Sequence, residues 1–347
     1  MKEKSNKRKR VLFYSSIKDI DLFRVTGFYT TDIEILKDLD CEVILSNSFL
    51  DFLKFWRYDI SFIYFWTKGV IPAMLSKLFF KKVIFTGGID RLDKNYNKSK
   101  LDYTIKKYFF KFCTIFSDAN IIVSESDIDN IKFTGFNVNN IVYVPHVVDF
   151  HKYKYDGRVK SNIITSVVWM ETSEVNVIRK GVDKLLYVFD IFRKSNPYFK
   201  LVIIGSVGIG TDYLIKIAKE LGILALIIFT GRIDEKEKIS ILNDSKYYFQ
   251  LSLYEGFGIS AIEALAAGNI VFHSGKGGLA KSIGNNGVLV RDINNYPLAA
   301  ELFINFNNLY PENSNLLIEK GVGHVENNFA YPVRLEGIKN ILLSFFK

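Results

Sequence analysis

The chain has 347 residues, 48% of them hydrophobic and 24% charged, a balance that excludes a disordered or low-complexity polymer and a length that predicts two domains. Its two cysteines, Cys41 and Cys113, are too few for a disulfide framework or a thiolate metal site and read as core residues. The formal charge of +9 is spread over both halves, with Lys and Arg exceeding Asp and Glu by 23 to 18 in residues 1–150 and by 23 to 19 in the rest, so charge alone does not choose between phosphate, anionic membrane and nucleic acid as partner.

In chain order, the basic run 1–10 precedes an apolar run, 11–14, that is too short for a signal sequence, and the longest apolar stretches, such as 222–230, fall well short of a membrane span. The expectation is a cytoplasmic protein. Strand-like runs at 11–15, 42–45, 60–65, 82–85, 121–123 and 141–144 alternate with helical or mixed stretches, among them 30–39 with Ile33, Leu36 and Leu39 at helical spacing. The second half repeats the plan: strands at 163–168, 200–204, 226–229, 247–251 and 270–273, and helices at 181–194, 213–221, 236–242 and 261–267. This α/β alternation predicts two doubly wound, Rossmann-like domains facing a cleft, with ligands held beyond the carboxyl ends of the strands. The boundary is placed in the aperiodic stretch 151–160, giving domains 1–155 and 156–330, and the segment 331–347 has helical spacing of Leu335, Ile338 and Leu342.

The segment 253–268 (LYEGFGISAIEALAAG) follows a strand and enters a helix, with Glu255 and Glu263 bracketing Gly256 and Gly258. Glycines there let a backbone approach a ligand, the helix amides suit a diphosphate, and Glu263 in the first helical turn suits a vicinal diol. The plain alternative is a pair of capping boxes, Ser252 with Glu255 and Ser260 with Glu263. In IRKGVD (178–183), Arg179 and Lys180 stand where the helix 181–194 is expected to begin. Cations oppose the dipole at a helix start, so the pair points to a bound anion; the alternative is a solvated loop end.

With these motifs in order, the sequence resembles the retaining GT-B glycosyltransferases of the glycosyl transferases group 1 family, family four in the usual classification. The resemblance covers most of 120–292 and includes RKGVD at 179–183, FTG at 229–231, the Glu255–Glu263 motif, Gly277-Gly278, and SDANIIVSE (117–125) and VPHVVD (144–149) in the first half. It implies the GT-B architecture, with 331–347 crossing back to the first domain, and transfer of a sugar from a nucleotide diphosphate sugar to a hydroxyl of a glycan or lipid-linked acceptor, with retention and without a metal or other cofactor. A role in cell-surface polysaccharide synthesis goes with it. Residue by residue, it implies that Glu263 holds the ribose, that Glu255 and the backbone of Phe257, Gly258 and Ile259 contact the donor sugar and diphosphate, and that Lys180 binds phosphate. Gly231, Arg232 and Ile233 fall at the base pocket, and Gly27 at the glycine loop of the first domain. The family's arginine before the lysine is absent, the region reading WMETSE (169–174), which makes Arg179 the candidate substitute. The first-domain loop that often carries a histidine reads TGGID (86–90), leaving Gly88 and Asp90 as acceptor-side candidates. A catalytically inactive nucleotide-sugar-binding or membrane-scaffold relative is the alternative, against which Glu255, Glu263 and Lys180 are all present.

Other signals are weaker. Asp19/Asp21, Asp38/Asp40 and Asp127/Asp129 spell Asp-x-Asp as chance matches in an Asp- and Ile-rich chain, the second pair reading as the end of a helix and the third as the start of one, and His146, Asp149 and His151 read as structural rather than as a metal cluster. GSVGIG (205–210) has the wrong glycine order for a dinucleotide fingerprint and reads as a turn, and there is no phosphate loop. Residues 77–82 and 105–116 mix lysines with aromatics. They fit either docking on anionic lipid, at the inner face of the cytoplasmic membrane, or a buried aromatic face with solvated lysines. Nucleic acid binding would leave the two-glutamate motif unexplained.

Overall fold

The computed structural model describes residues 8–89, 92–93, 99–310 and 314–345. The chain divides into two units, Met1–Val147 with Tyr331–Lys347, and Val148–Ala330. The first holds β1 (Lys9–Tyr14), β2 (Cys41–Ser46), β3 (Ile60–Tyr64), β4 (Lys82–Gly87), β5 (Ala119–Ile122) and β6 (Ile141–Tyr143), in the order β2-β1-β3-β4-β5-β6. The second holds β7 (Ser161–Val167), β8 (Lys200–Ile204), β9 (Ile227–Phe229), β10 (Ser245–Gln250), β11 (Ile270–His273) and β12 (Val288–Leu289), in the order β12-β11-β10-β7-β8-β9. Every strand pair is parallel. Continuous apolar runs such as 11–14 and 60–64 make such strands because helices cover both faces, leaving no solvated side for polar alternation.

Both sheets are doubly wound. In the second, β7 lies between β8 and β10, so the strand order reverses at the β7/β10 pair, which in an open α/β sheet opens a crevice at the carboxyl ends. In the first, the reversal falls at β1/β3.

Several boundaries differ from expectation for identifiable reasons. The chain passes between units at 147/148 rather than near 155, because Val148, Phe150 and Tyr153 are buried in one cluster with Ala261, Ile262 and Ala264 of the second unit. The helix expected over 181–194 is present as Val182–Arg193, and a short helix not expected, Val175–Lys180, precedes it, separated from it by Gly181 in the left-handed region at φ 71°. A Cβ at Gly181 would overlap the Leu251 carbonyl, so glycine is needed here for both its φ and its proximity to the end of β10. The helix expected at 213–221 begins at Ile209, and Cβ atoms at Gly205 and Gly208 would overlap the carbonyls of Val168 and Glu171, which explains the glycines of 205–210 without a dinucleotide.

In the first unit the helix Tyr331–Ser344 buries Ile338, Ile341 and Leu342 against Val11, Phe13 and Ile121. It also delivers Arg334, whose Nε and Nη2 donate to the two oxygens of Asp32 at 2.5 and 2.7 Å and whose Nη1 donates to the carbonyls of Val144 and Pro145. Both charges are sealed from solvent, at 1% and 0% side-chain exposure. Tyr64 donates a further hydrogen bond to Asp32 at 2.6 Å. His146 is buried beside Phe28 in this unit, and burial, with the Arg334 charge adding to it, holds its pKa well below the ordinary value. Asp149 and His151 belong to the other unit, where Asp149 caps the Phe150–Tyr153 helix by accepting from the Lys152 amide. No group of three or more His, Cys, Asp or Glu among the described residues is arranged to hold a metal ion.

The aromatic segment of the first unit is resolved against burial. In the helix Lys100–Ile115 only Phe110 and Cys113 are buried, while Leu101, Ile105, Tyr108, Phe109, Phe112 and Ile115 are exposed. No helix among the described residues is long and apolar enough to cross a membrane.

Candidate functional site

The loops after β7 and β10 meet at the strand reversal of the second unit. Leu253 donates its amide to the Arg179 carbonyl at 2.8 Å, tying the end of the Val175–Lys180 helix to the segment that follows β10. Lys180 Nζ then lies 3.2 Å, and Arg179 Nη1 3.5 Å, from the same oxygen, Glu255 Oε2. Arg179 also donates to the Tyr254 carbonyl at 3.2 Å. The cations therefore stand in the last turn of one helix, where the dipole favours them, and the expectation that they crowd a helix start is corrected. Their convergence on one carboxylate is the informative feature.

Glu255 accepts further hydrogen bonds from Gln250 Nε2 at 2.8 Å and Ser252 Oγ at 3.3 Å. Burial would raise its pKa, but Lys180 and Arg179, with the hydrogen bonds from Lys180 and Gln250, outweigh that and hold it below the ordinary carboxylate value. Two cations share one anion, so the cluster carries a net positive charge with Arg179 and Lys180 still partly open to solvent. An additional anion would find hydrogen-bond donors already in place.

Gly258, at φ 95°, starts the helix Ile259–Ala266 with no side-chain cap, and a Cβ there would press on Leu279. The 277–278 glycines allow a second loop to lie on the Glu255–Phe257 turn: the Gly278 amide donates to the Glu255 carbonyl at 2.6 Å, and a Cβ on either glycine would overlap a carbonyl of that turn. Phe257 turns its ring into the core against Phe329, and its carbonyl accepts from Ser282 Oγ at 2.7 Å. Ile259 opens the helix and is half-buried.

Neither capping box forms. Ser252 bonds the Glu255 side chain in a loop, and Ser260 lies inside the helix, 3.2 Å from Gln250 Oε1 and 3.0 Å from the Tyr248 hydroxyl. Glu263 is the fifth residue of its helix, one turn later than expected. Its two oxygens each accept from Lys238 Nζ at 3.0 Å, and Lys238 also lies over the Tyr153 ring at 5.2 Å. Tyr153 is buried, and burial followed by the charges of Glu263 and Glu235 raises its pKa far above the usual value. Lys238 escaped sequence reasoning because its run, EKEK at 235–238, reads as a solvated helix face. Gln250 escaped because it closes an apolar strand.

Gly231, at φ 72°, pairs as an isolated bridge with Gly205 beyond the ends of β8 and β9; Arg232 is exposed and Ile233 half-buried. Gly27 begins the Gly27–Asp38 helix after β1, with open space where a Cβ would lie, and Gly88 follows β4. Gly27 and Gly88 belong to the first unit, whereas Arg179, Lys180, Glu255 and Glu263 all belong to the second. Asp90 lies outside the described residues.

Comparison with known proteins follows the same division. Residues 174–315 match the family model described as glycosyl transferases group 1. Over 170 residues the chain is 28% identical to a glycogen synthase of Mycobacterium tuberculosis, covering 49% of this chain and 40% of that protein, so the chain spans well under half the length of this curated relative. Among solved structures, Anabaena HepE in complex with UDP and glucose superposes with a TM-score of 0.77 at 14% identity, covering 97% of this chain and all of that one. The sucrose-phosphate synthase of Thermosynechococcus elongatus gives 0.79 at 16% identity, with 98% and 99% covered. The two parallel six-stranded sheets with flanking helices are those of the two Rossmann-like domains of such GT-B structures.

Proposed function

We propose that this protein, whose residues 174–315 match the family model of glycosyl transferases group 1, transfers a sugar from a nucleotide diphosphate sugar to a hydroxyl of a glycan or lipid-linked acceptor. The observation that carries this reading is the convergence of Lys180 and Arg179 on Glu255 at the β7/β10 reversal, beside the uncapped start of the Ile259–Ala266 helix. A diphosphate leaving group needs such fixed positive charge, since the transition state gathers negative charge on the phosphate oxygens. HepE was crystallised with UDP and with UDP-glucose, which supports a nucleotide donor here.

In the proposed reaction the bond between the anomeric carbon and the β-phosphate oxygen breaks, and the acceptor oxygen bonds the same carbon from the same face. The acceptor proton passes to the departing phosphate, so no enzyme nucleophile is required. Lys180 and Arg179 take up the charge on the phosphates, and no metal is required for that task. Glu255, already held in the anionic form, orients these cations and contacts the donor sugar. Glu263 accepts hydrogen bonds from the ribose diol while its ion pair with Lys238 fixes the carboxylate in place. Cell-surface polysaccharide synthesis is the setting this chemistry suits.

The test is thermal-shift binding with UDP, GDP, ADP, CMP and their sugar conjugates, on wild type and Glu263→Ala, with and without EDTA. Stabilisation of the wild type by one nucleotide, lost in Glu263→Ala and unchanged by EDTA, is expected, since a ligand that binds the folded state raises its apparent stability. No shift with any nucleotide, or equal shifts in both proteins, would overturn the donor-site assignment.

A further inference from the structure

The exposed face of the first unit is organised. At 3.6 residues per turn, Leu101, Ile105, Tyr108, Phe112 and Ile115 fall within a sector of about 80° on the Lys100–Ile115 helix, with Phe109 at its edge. All six side chains are exposed, and the buried Phe110 and Cys113 lie on the other side of the helix. The helix therefore turns its apolar stripe outward. Lys100, Lys107 and Lys111 run along one border of the stripe, the last two held 4.8 and 4.7 Å from the centre of the Phe136 ring.

The neighbouring helix, Val70–Leu78, repeats the arrangement: Pro72, Ala73 and Ser76 are buried, while Ile71, Met74 and Leu78 are exposed. Just past its end stands Phe80, which is 95% exposed and held in the left-handed region at φ 56°, between Phe79 and the pair Lys81-Lys82. An aromatic residue in that conformation is uncommon, and no packing in the unit accounts for a ring so fully in water. Phe79 stacks on Phe55 at 4.2 Å, and Trp56 beside it is 63% exposed. A monomer in water seldom leaves so many large apolar side chains together at its surface.

Charge identifies the occupant. Residues 49–57, 68–82 and 99–116 hold ten lysines and arginines; Lys54, Lys77, Lys82 and Lys106 pair with Asp51, Asp118 and Asp102, which still leaves a positive excess along this face. A second copy of the chain would bring the same cations to the same contact and be repelled. A bilayer with anionic headgroups complements both features, taking Phe80, Trp56 and the stripe at the level of the headgroups and pairing the lysines with phosphates. We infer that the first unit docks on an anionic lipid surface through the Lys100–Ile115 stripe and the Phe80 tip. The inference is independent of the donor site, so either can fail alone.

The experiment is co-sedimentation of the full chain with vesicles of phosphatidylcholine alone or of equal parts phosphatidylcholine and phosphatidylglycerol. Three proteins are compared: wild type, Phe80→Ser, and Phe109→Ser/Phe112→Ser, each with its thermal midpoint measured. Wild type should sediment with the phosphatidylglycerol vesicles only, and each variant should bind on the order of tenfold more weakly at an unchanged midpoint. Phe80→Ser carries the test if the double variant unfolds, because its ring touches no core. Added salt should weaken wild-type binding by screening. Equal binding by wild type and Phe80→Ser, binding to neutral vesicles alone, no vesicle binding, or a dimer dissolved by the same substitutions without vesicle binding would each overturn the inference.

Discussion

Each unit contains an ion cluster with an arginine at the carboxyl end of its sheet, and the two are built to opposite rules. In the first unit, Arg334 and Asp32 are matched one to one, bonded through two nitrogens to two oxygens, and closed off from solvent; Tyr64, the Thr86 hydroxyl and two backbone carbonyls take further bonds. In the second, Arg179 and Lys180 share one oxygen of Glu255 and remain partly exposed. A satisfied, neutral, buried pair has nothing left to offer a ligand and serves to fasten a helix. A cluster with surplus positive charge and an open side is an anion site in waiting. The residue types are nearly the same, and stoichiometry and access separate a closed fastening from an open, positively charged cluster.

Breaking the sealed pair should have the largest effect. Arg334→Met leaves Asp32 buried without its counter-charge, and we expect a loss of about 3–5 kcal/mol in urea unfolding, with the first unit melting ahead of the second. Retention of wild-type stability would mean that the helix Tyr331–Ser344 is fastened by its apolar face alone. The open cluster should respond in the other currency. Lys180→Ala should lower the rate of transfer from the nucleotide sugar by about 10²–10³-fold while moving the unfolding midpoint little, because a donor to developing charge is lost and no core contact goes with it. A large loss of stability with normal turnover would make the cluster structural.

Much of this was legible in the sequence. The βα alternation placed eleven of the strands described here from local apolar runs and missed only the two-residue β12, whose pairing with β11 depends on the sheet being present already. The residues Lys180, Arg179, Glu255 and Glu263 stood out because glycines and charges interrupt apolar periodicity there. What failed was local context. The short helix Val175–Lys180 before Gly181 has no apolar periodicity to announce it, and only the nearness of Leu251 shows why the residue between it and the next helix must be glycine. The serines of 252 and 260 fit capping boxes in sequence and serve other partners in space, because Gln250 and Tyr248 compete for them.

A third cation carries the comparison into pH dependence, with a small effect at each step of pH. Lys160 is buried, donating to the carbonyls of Leu242, at 3.3 Å, and Ala267, and burial depresses its pKa to about 7. The folded value lies below the unfolded one, so the folded state releases this proton first. Unfolding free energy should therefore rise with pH from about 7 towards the ordinary lysine range, by no more than about 1.4 kcal/mol per pH unit. Lys160→Met should flatten that rise in unfolding curves taken across the interval; an unchanged slope would show that Lys160 stays charged when buried.

The sequence by itself determined the α/β class, the two-unit plan and the identity of the charged and glycine-rich loops, since those follow from periodicity, turn chemistry and charge within windows of a few residues. Only the tertiary structure decided which loops meet. The order β12-β11-β10-β7-β8-β9 brings the loop after the first strand of the second unit beside the loop after its fourth, and that alone sets Lys180 against Glu255. The pairing of Asp32 with Arg334, 302 residues apart, and of Lys238 with Glu263 likewise depends on which surfaces are buried together. Burial gives an ion pair its worth, and no local window of sequence contains it.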